Sequence, residues 1–146
     1  LWNLGYKTKL VPEAFVYHKR RVSWKGFYKQ VFKFGMVRPI LNTWFPSTKK
    51  ATYWFPTLFS LGLITAILLF AFGFKWLLIG YGLYFVIAFI LALFVAKSVI
   101  VSILVMPAIL IQFFGYGYGF LKSTFAVSIL NKNPETHFPN LFFKLK

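Results

Sequence analysis

Two runs of 21 residues without a single charge, 53–73 and 76–96, constrain this chain more than any other feature. At 1.5 Å of rise per helical residue, each crosses the roughly 30 Å of hydrocarbon in a bilayer. A helix satisfies every backbone N–H and C=O within its own segment, which that medium requires. "YWFPTLFSLGLITAILLFAFG" and "WLLIGYGLYFVIAFILALFVA" therefore read as transmembrane helices. Only Phe74 and Lys75 separate them, so they form an antiparallel hairpin. A third uncharged stretch, 98–121, is also long enough, but Pro107 and Gln112 interrupt it and "GYGYG" near its end is poor helix. It reads either as a third, kinked span or as a re-entrant or interfacial segment. No internal repeat is visible.

Charge is distributed in the complementary way. Seventeen Lys and Arg face two carboxylates, Glu13 and Glu135, for a net charge of +15. Eleven of the basic residues fall in 1–50, ahead of the spans. By the positive-inside rule this makes a multi-pass protein of the cell membrane with a cytoplasmic N-terminal segment. Lys122, Lys132, Lys144 and Lys146 would lie on the other side if 98–121 spans. Basic residues beside membrane spans point to anionic lipid or phosphorylated small molecules as partners, not to nucleic acid. The absence of Asp removes Asp-based metal sites and Asp-supported triads, and the absence of Cys removes thiolate zinc sites and Cys nucleophiles. The apolar share, 59%, exceeds the 45–50% usual for a globular domain. The chain opens on Leu with no signal-peptide pattern and is expected to begin inside a longer protein.

Between the N-terminal stretch and the spans lies an amphipathic segment, 23–38. Ser23 suits an N-cap and Pro39 disfavours continuation. Trp24, Phe27, Tyr28, Val31, Phe32 and Gly35 share one helical face, while Lys25, Lys29 and Lys33 recur every fourth residue on another. An aromatic face beside a lysine stripe suits a helix lying in the lipid headgroup plane, the alternative being an amphipathic helix on a protein core. Residues 39–52 form a Pro-containing connection, and 122–146 a short polar tail. Residues 1–22 read as the end of an α/β unit. Leu1, Trp2 and Leu4 close a helix at Gly5, "YKTKLV" and "AFVYH" are β-prone, and Pro12 separates them.

Across residues 5–38, "GYKTKLVPEAFVYHKRRVSWKGFYKQVFKFGMVR" resembles the end of the catalytic domain of membrane-bound family 2 glycosyltransferases. The matching pieces, in order, are Gly5-Tyr6-Lys7, Pro12-Glu13-Ala14, Val16, His18, Arg21 and Gln30-Val31-Phe32-Lys33-Phe34-Gly35. The resemblance implies a mostly α membrane protein carrying the last elements of a GT-A-type α/β domain in 1–22. An amphipathic interfacial helix (23–38) and two or three transmembrane helices within 53–121 follow. It implies an inverting enzyme that moves a sugar from a nucleotide-sugar donor to a lipid-linked or saccharide acceptor at the membrane. A divalent metal, Mg or Mn, would be held mainly by an upstream D-x-D segment, with an upstream Asp as base. This chain contains neither, so the fragment alone is expected to be inactive and contributes no catalytic residue.

The resemblance also assigns roles within the chain. His18 would ligate the metal or contact the diphosphate, against the alternative of a satisfied histidine at a strand end. Arg20 and Arg21 would clamp phosphate oxygens with their fork of donors, against lipid headgroups or solvent. Gln30, Lys33 and Phe34 would border the acceptor, with Lys and Phe where the family has Arg and Trp. A rival class accounts for spans and charge but not for the ordered series: a non-enzymatic small membrane protein, such as a lipid-carrier translocase or assembly subunit.

Overall fold

The computed structural model of the chain describes residues 5–17 and 23–142. Helices dominate, and there is no strand among the described residues. The β-prone stretches 6–11 and 14–17 are irregular and exposed, linked by a turn in which the Ala14 N–H donates to the Val11 carbonyl (3.1 Å). A strand needs a neighbouring ladder, and the described residues offer none.

Helix α1 (Trp24–Trp44) starts where expected, with Ser23 Oγ accepting from the Gly26 N–H at 3.1 Å. It does not stop at Arg38. Pro39 lies inside the helix, at the cost of one backbone hydrogen bond. Burial offsets that loss: Pro39 and Ile40 are buried, and Thr43 Oγ1 donates to the carbonyls of Pro39 and Ile40 (3.0 and 2.8 Å). Two 3-10 turns, Pro46–Thr48 and Ala51–Trp54, lead into α2 (Phe55–Ala71). A turn at Gly73, whose φ of +88° suits glycine, leads to α3 (Trp76–Ala96). Lys97, in the left-handed region, ends α3, and α4 (Val99–Ser123) follows, capped by Ser98. One π-type turn, Thr124–Ile129, extends α4. Three helical segments are long and apolar enough to cross a membrane: Ala51–Ala71, Trp76–Ala96 and Val99–Ile129. The third is one continuous helix through Pro107 and the glycine-rich stretch. The chain is thus a mostly helical protein with three candidate spans.

The glycines explain why α4 does not break. Gly115, Gly117 and Gly119 are buried. A Cβ on Gly119 would collide with the Phe32 carbonyl oxygen, and one on Gly35 with that of Tyr116. The backbones of α1 and α4 therefore touch. Val31 and Tyr28 sit against Gly115, while Phe32 and Met36 sit against Gly119, so the two helices run in the same direction. Gly117 faces the other way, onto the backbone of Pro56 and Thr57, and Thr57 Oγ1 donates to the Gly117 carbonyl (3.3 Å). One glycine-rich stretch thus receives α1 on one side and the start of α2 on the other. Gly115 and Gly119 form the G-x-x-x-G spacing by which membrane helices approach closely.

Where α2, α3 and α4 meet, the Phe59 ring lies 4.2 Å from that of Phe113, 5.0 Å from Tyr81 and 5.2 Å from Tyr84, centroid to centroid. The Tyr81 hydroxyl donates to the Phe59 carbonyl (2.9 Å). The C-terminal stretch is not a detached polar tail. Phe138 is buried with Met36, Ile40, Ala126 and Val127, and Leu141 and Phe142 pack on that cluster. A short helix, α5 (Pro134–His137), begins this return.

Candidate functional site

The α1–α4 crossing organises the polar chemistry of the described residues. On one side of α1, Lys29 and Lys33 border an open groove of about 610 Å³, completed by Lys122 from the last turn of α4, His137 from α5 and Asn140. α1 brings its two lysines to one side because they are four residues apart. Lys122 and His137 arrive because α4 continues through its glycines and the C-terminal stretch folds back, so Lys122 lies on the side of α1 and not on the opposite side expected for a spanning 98–121. Neither Glu13 nor Glu135 forms an ion pair with a described lysine or arginine. This groove is suited to binding an anion.

On the other side, Phe34, Arg38, Tyr53, Gln112 and Tyr116 line a groove of about 480 Å³. The Arg38 guanidinium sits over the Tyr53 ring, 4.3 Å from its centroid, and also interacts with the Tyr116 hydroxyl. Its charge is thus held by aromatic groups from the connection and from α4. A smaller pocket, about 420 Å³, lies where the C-terminal end of α1 meets the π-type turn, lined by Asn42, Lys49, Trp54, Thr124 and Asn131 among others. Oδ1 of Asn42 and Oγ1 of Thr124 are buried there without a hydrogen-bond partner, as is the nearby Oγ of Ser123. π-type turns recur at functional sites, and this one offers amide and hydroxyl groups.

The sequence-derived site residues separate in this arrangement. His18, Arg20 and Arg21, assigned to metal and diphosphate, lie outside the described residues. Gln30 is exposed, and its side chain bonds to no described residue. Lys33 borders the basic groove and Phe34 the Arg38 groove, so these neighbours serve opposite sides of α1. Lys122, His137, Arg38 and Tyr116 were not singled out from the sequence. The signal that could have found their neighbourhood is the Gly115–Gly119 spacing, which marks a helix-packing face. Among the described residues, no three His, Cys, Asp or Glu side chains come together to hold a metal ion. Compared with known proteins, the chain matches no family model, no curated protein and no solved structure.

Proposed function

We propose that the chain is the C-terminal membrane part of an inverting, membrane-bound family 2 glycosyltransferase, with α1 at the cytoplasmic membrane surface. The observation that carries this reading is the order Gly5-Tyr6-Lys7, Pro12-Glu13-Ala14, His18, Arg21, Gln30 and Lys33 directly ahead of the spans. The exposed stripe Lys25, Lys29 and Lys33 supports the surface position of α1, because anionic headgroups relieve the repulsion among these lysines.

In this reading a nucleotide-sugar donor loses its diphosphate as the glycosidic bond breaks, and cationic groups stabilise the departing charge. Arg20 and Arg21 hold phosphate oxygens, and His18 faces the diphosphate or contributes to its metal. The divalent ion, Mg or Mn, supplies Lewis-acid stabilisation of the leaving group and is held mainly by upstream acidic residues. Gln30, Lys33 and Phe34 border a lipid-linked or saccharide acceptor. Placing α1 in the headgroup plane brings site and acceptor to the same level.

The test is sugar transfer by the full-length enzyme carrying His18→Ala and, separately, Lys33→Ala. Each is expected to lower transfer by ~10²-fold, the scale of losing one charge-stabilising group. Normal transfer by both variants, in protein that inserts and folds normally, would remove the active-site assignment.

A further inference from the structure

Two grooves of opposite character meet at Tyr28, which lines both. The first is the basic groove of Lys29, Lys33, Lys122 and His137. The second, about 320 Å³, is almost wholly apolar and runs along Leu61, Ile64, Phe114 and Leu121, between α2 and α4. The boundary is sharp: Leu121 belongs to the apolar groove and Lys122, the next residue, to the basic one. The side chains of Phe32 and Tyr118, in tilted contact with ring centroids 5.6 Å apart, border the two grooves at this junction.

We infer that the two grooves form one binding site for an anionic phospholipid. The phosphate headgroup sits among Lys29, Lys33 and Lys122, and one hydrocarbon chain lies along Leu61, Ile64 and Phe114. Three lysines are brought together there with no carboxylate paired to them among the described residues, and like charges at i and i+4 destabilise a helix unless a counter-ion answers them. The apolar groove belongs to segments long enough to cross a membrane, where a hydrocarbon chain is the medium already present. A soluble phosphate would satisfy the lysines and leave the apolar groove empty. A neutral lipid would fill the apolar groove and leave the lysines unanswered. An anionic lipid matches both, whether or not the chain belongs to a glycosyltransferase.

The experiment uses the whole chain in neutral detergent, titrated with dioleoyl phosphatidic acid and followed by native mass spectrometry. Each lysine near an anionic lipid contributes about fivefold in affinity, so Lys29→Gln, Lys33→Gln and Lys122→Gln together should weaken binding ~100-fold. The exposed pair Lys75→Gln and Lys97→Gln, which line neither groove, should leave it unchanged. Ile64→Trp, which fills the apolar groove, should weaken the dioleoyl lipid and leave glycerol 3-phosphate unaffected. All variants are compared at equal helicity by circular dichroism. The inference is overturned if the triple variant binds normally, or if Lys75→Gln with Lys97→Gln is equally damaging, since binding would then follow net charge alone. Displacement of the lipid by inorganic phosphate as readily as by short-chain phosphatidic acid would overturn it too, by assigning the groove to a soluble anion.

Discussion

Helix α3 and the α1–α4 crossing are opposite solutions to the same apolar composition. α3 is 21 residues of apolar side chains and glycine, and none of them is buried. At α1–α4, by contrast, Gly35, Gly115 and Gly119 are buried and the backbones are in contact. The difference is not hydrophobicity, since α3 is at least as apolar as α4. In a membrane, lipid tails are as apolar as Leu, so nothing drives a Leu-rich surface onto another helix. Close approach needs small residues on one face, and the glycines of α4 supply it. α3 also carries glycines, Gly80 and Gly82, but a Cβ on either would meet open space. A glycine alone therefore draws no neighbour; Gly35 and Gly119 matter because a second backbone comes to meet them.

The largest expected effect breaks the crossing itself. Gly119→Leu puts a branched side chain where even a Cβ collides with the Phe32 carbonyl, and Met36 N lies only 3.1 Å from that Cβ position. Backbone must move, so a loss of roughly 3 kcal/mol is expected, at the upper end of overpacking effects. Steric-trapping unfolding in bicelles would measure it, and a loss below about 1 kcal/mol would mean that the helices do not meet at glycine.

A smaller effect tests what fixes the other side of α1. Arg38→Leu and Tyr53→Leu, combined in a double-mutant cycle, should show a coupling of about 1 kcal/mol for a cation over an aromatic ring. Zero coupling would reduce Arg38 to a solvated charge. The smallest effect sharpens the contrast from the α3 side: Leu83→Ala and Ile87→Ala, both on exposed positions, should each change stability by no more than about 0.5 kcal/mol. If either costs as much as the Gly119 change, the exposed face of α3 has a packing partner and the comparison fails.

Several features are legible in short stretches of sequence. Ser23 as a cap needs only its side-chain oxygen and the next three residues, and the two uncharged 21-residue runs need only length and composition. The exposed lysine stripe of α1 follows from a fourfold spacing. Local reasoning went astray at Pro39 and at "GYGYG", where the residue's own preference is against helix. In both places the helix persists because the other helix covers it: Pro39 is buried, and the glycines gain close contact in return for their poor propensity. The C-terminal stretch reads as a short, Pro-containing polar tail, yet Phe138, Leu141 and Phe142 tie it to the core. The basic groove depends on that same return, so it could not be assembled from spacing along α1.

What the sequence by itself determined is which segments can enter a membrane and where α1 begins, because both depend on residues within one or two helical turns of each other. The tertiary structure alone decided that α1 runs on to Trp44, that Gly35 meets the backbone of Tyr116 and Phe120, and that Lys29 and Lys33 share a groove with Lys122 and His137. Those outcomes join residues some 80 to 110 positions apart. They rest on how closely two backbones can approach, which depends on both helices at once and on no property of either alone.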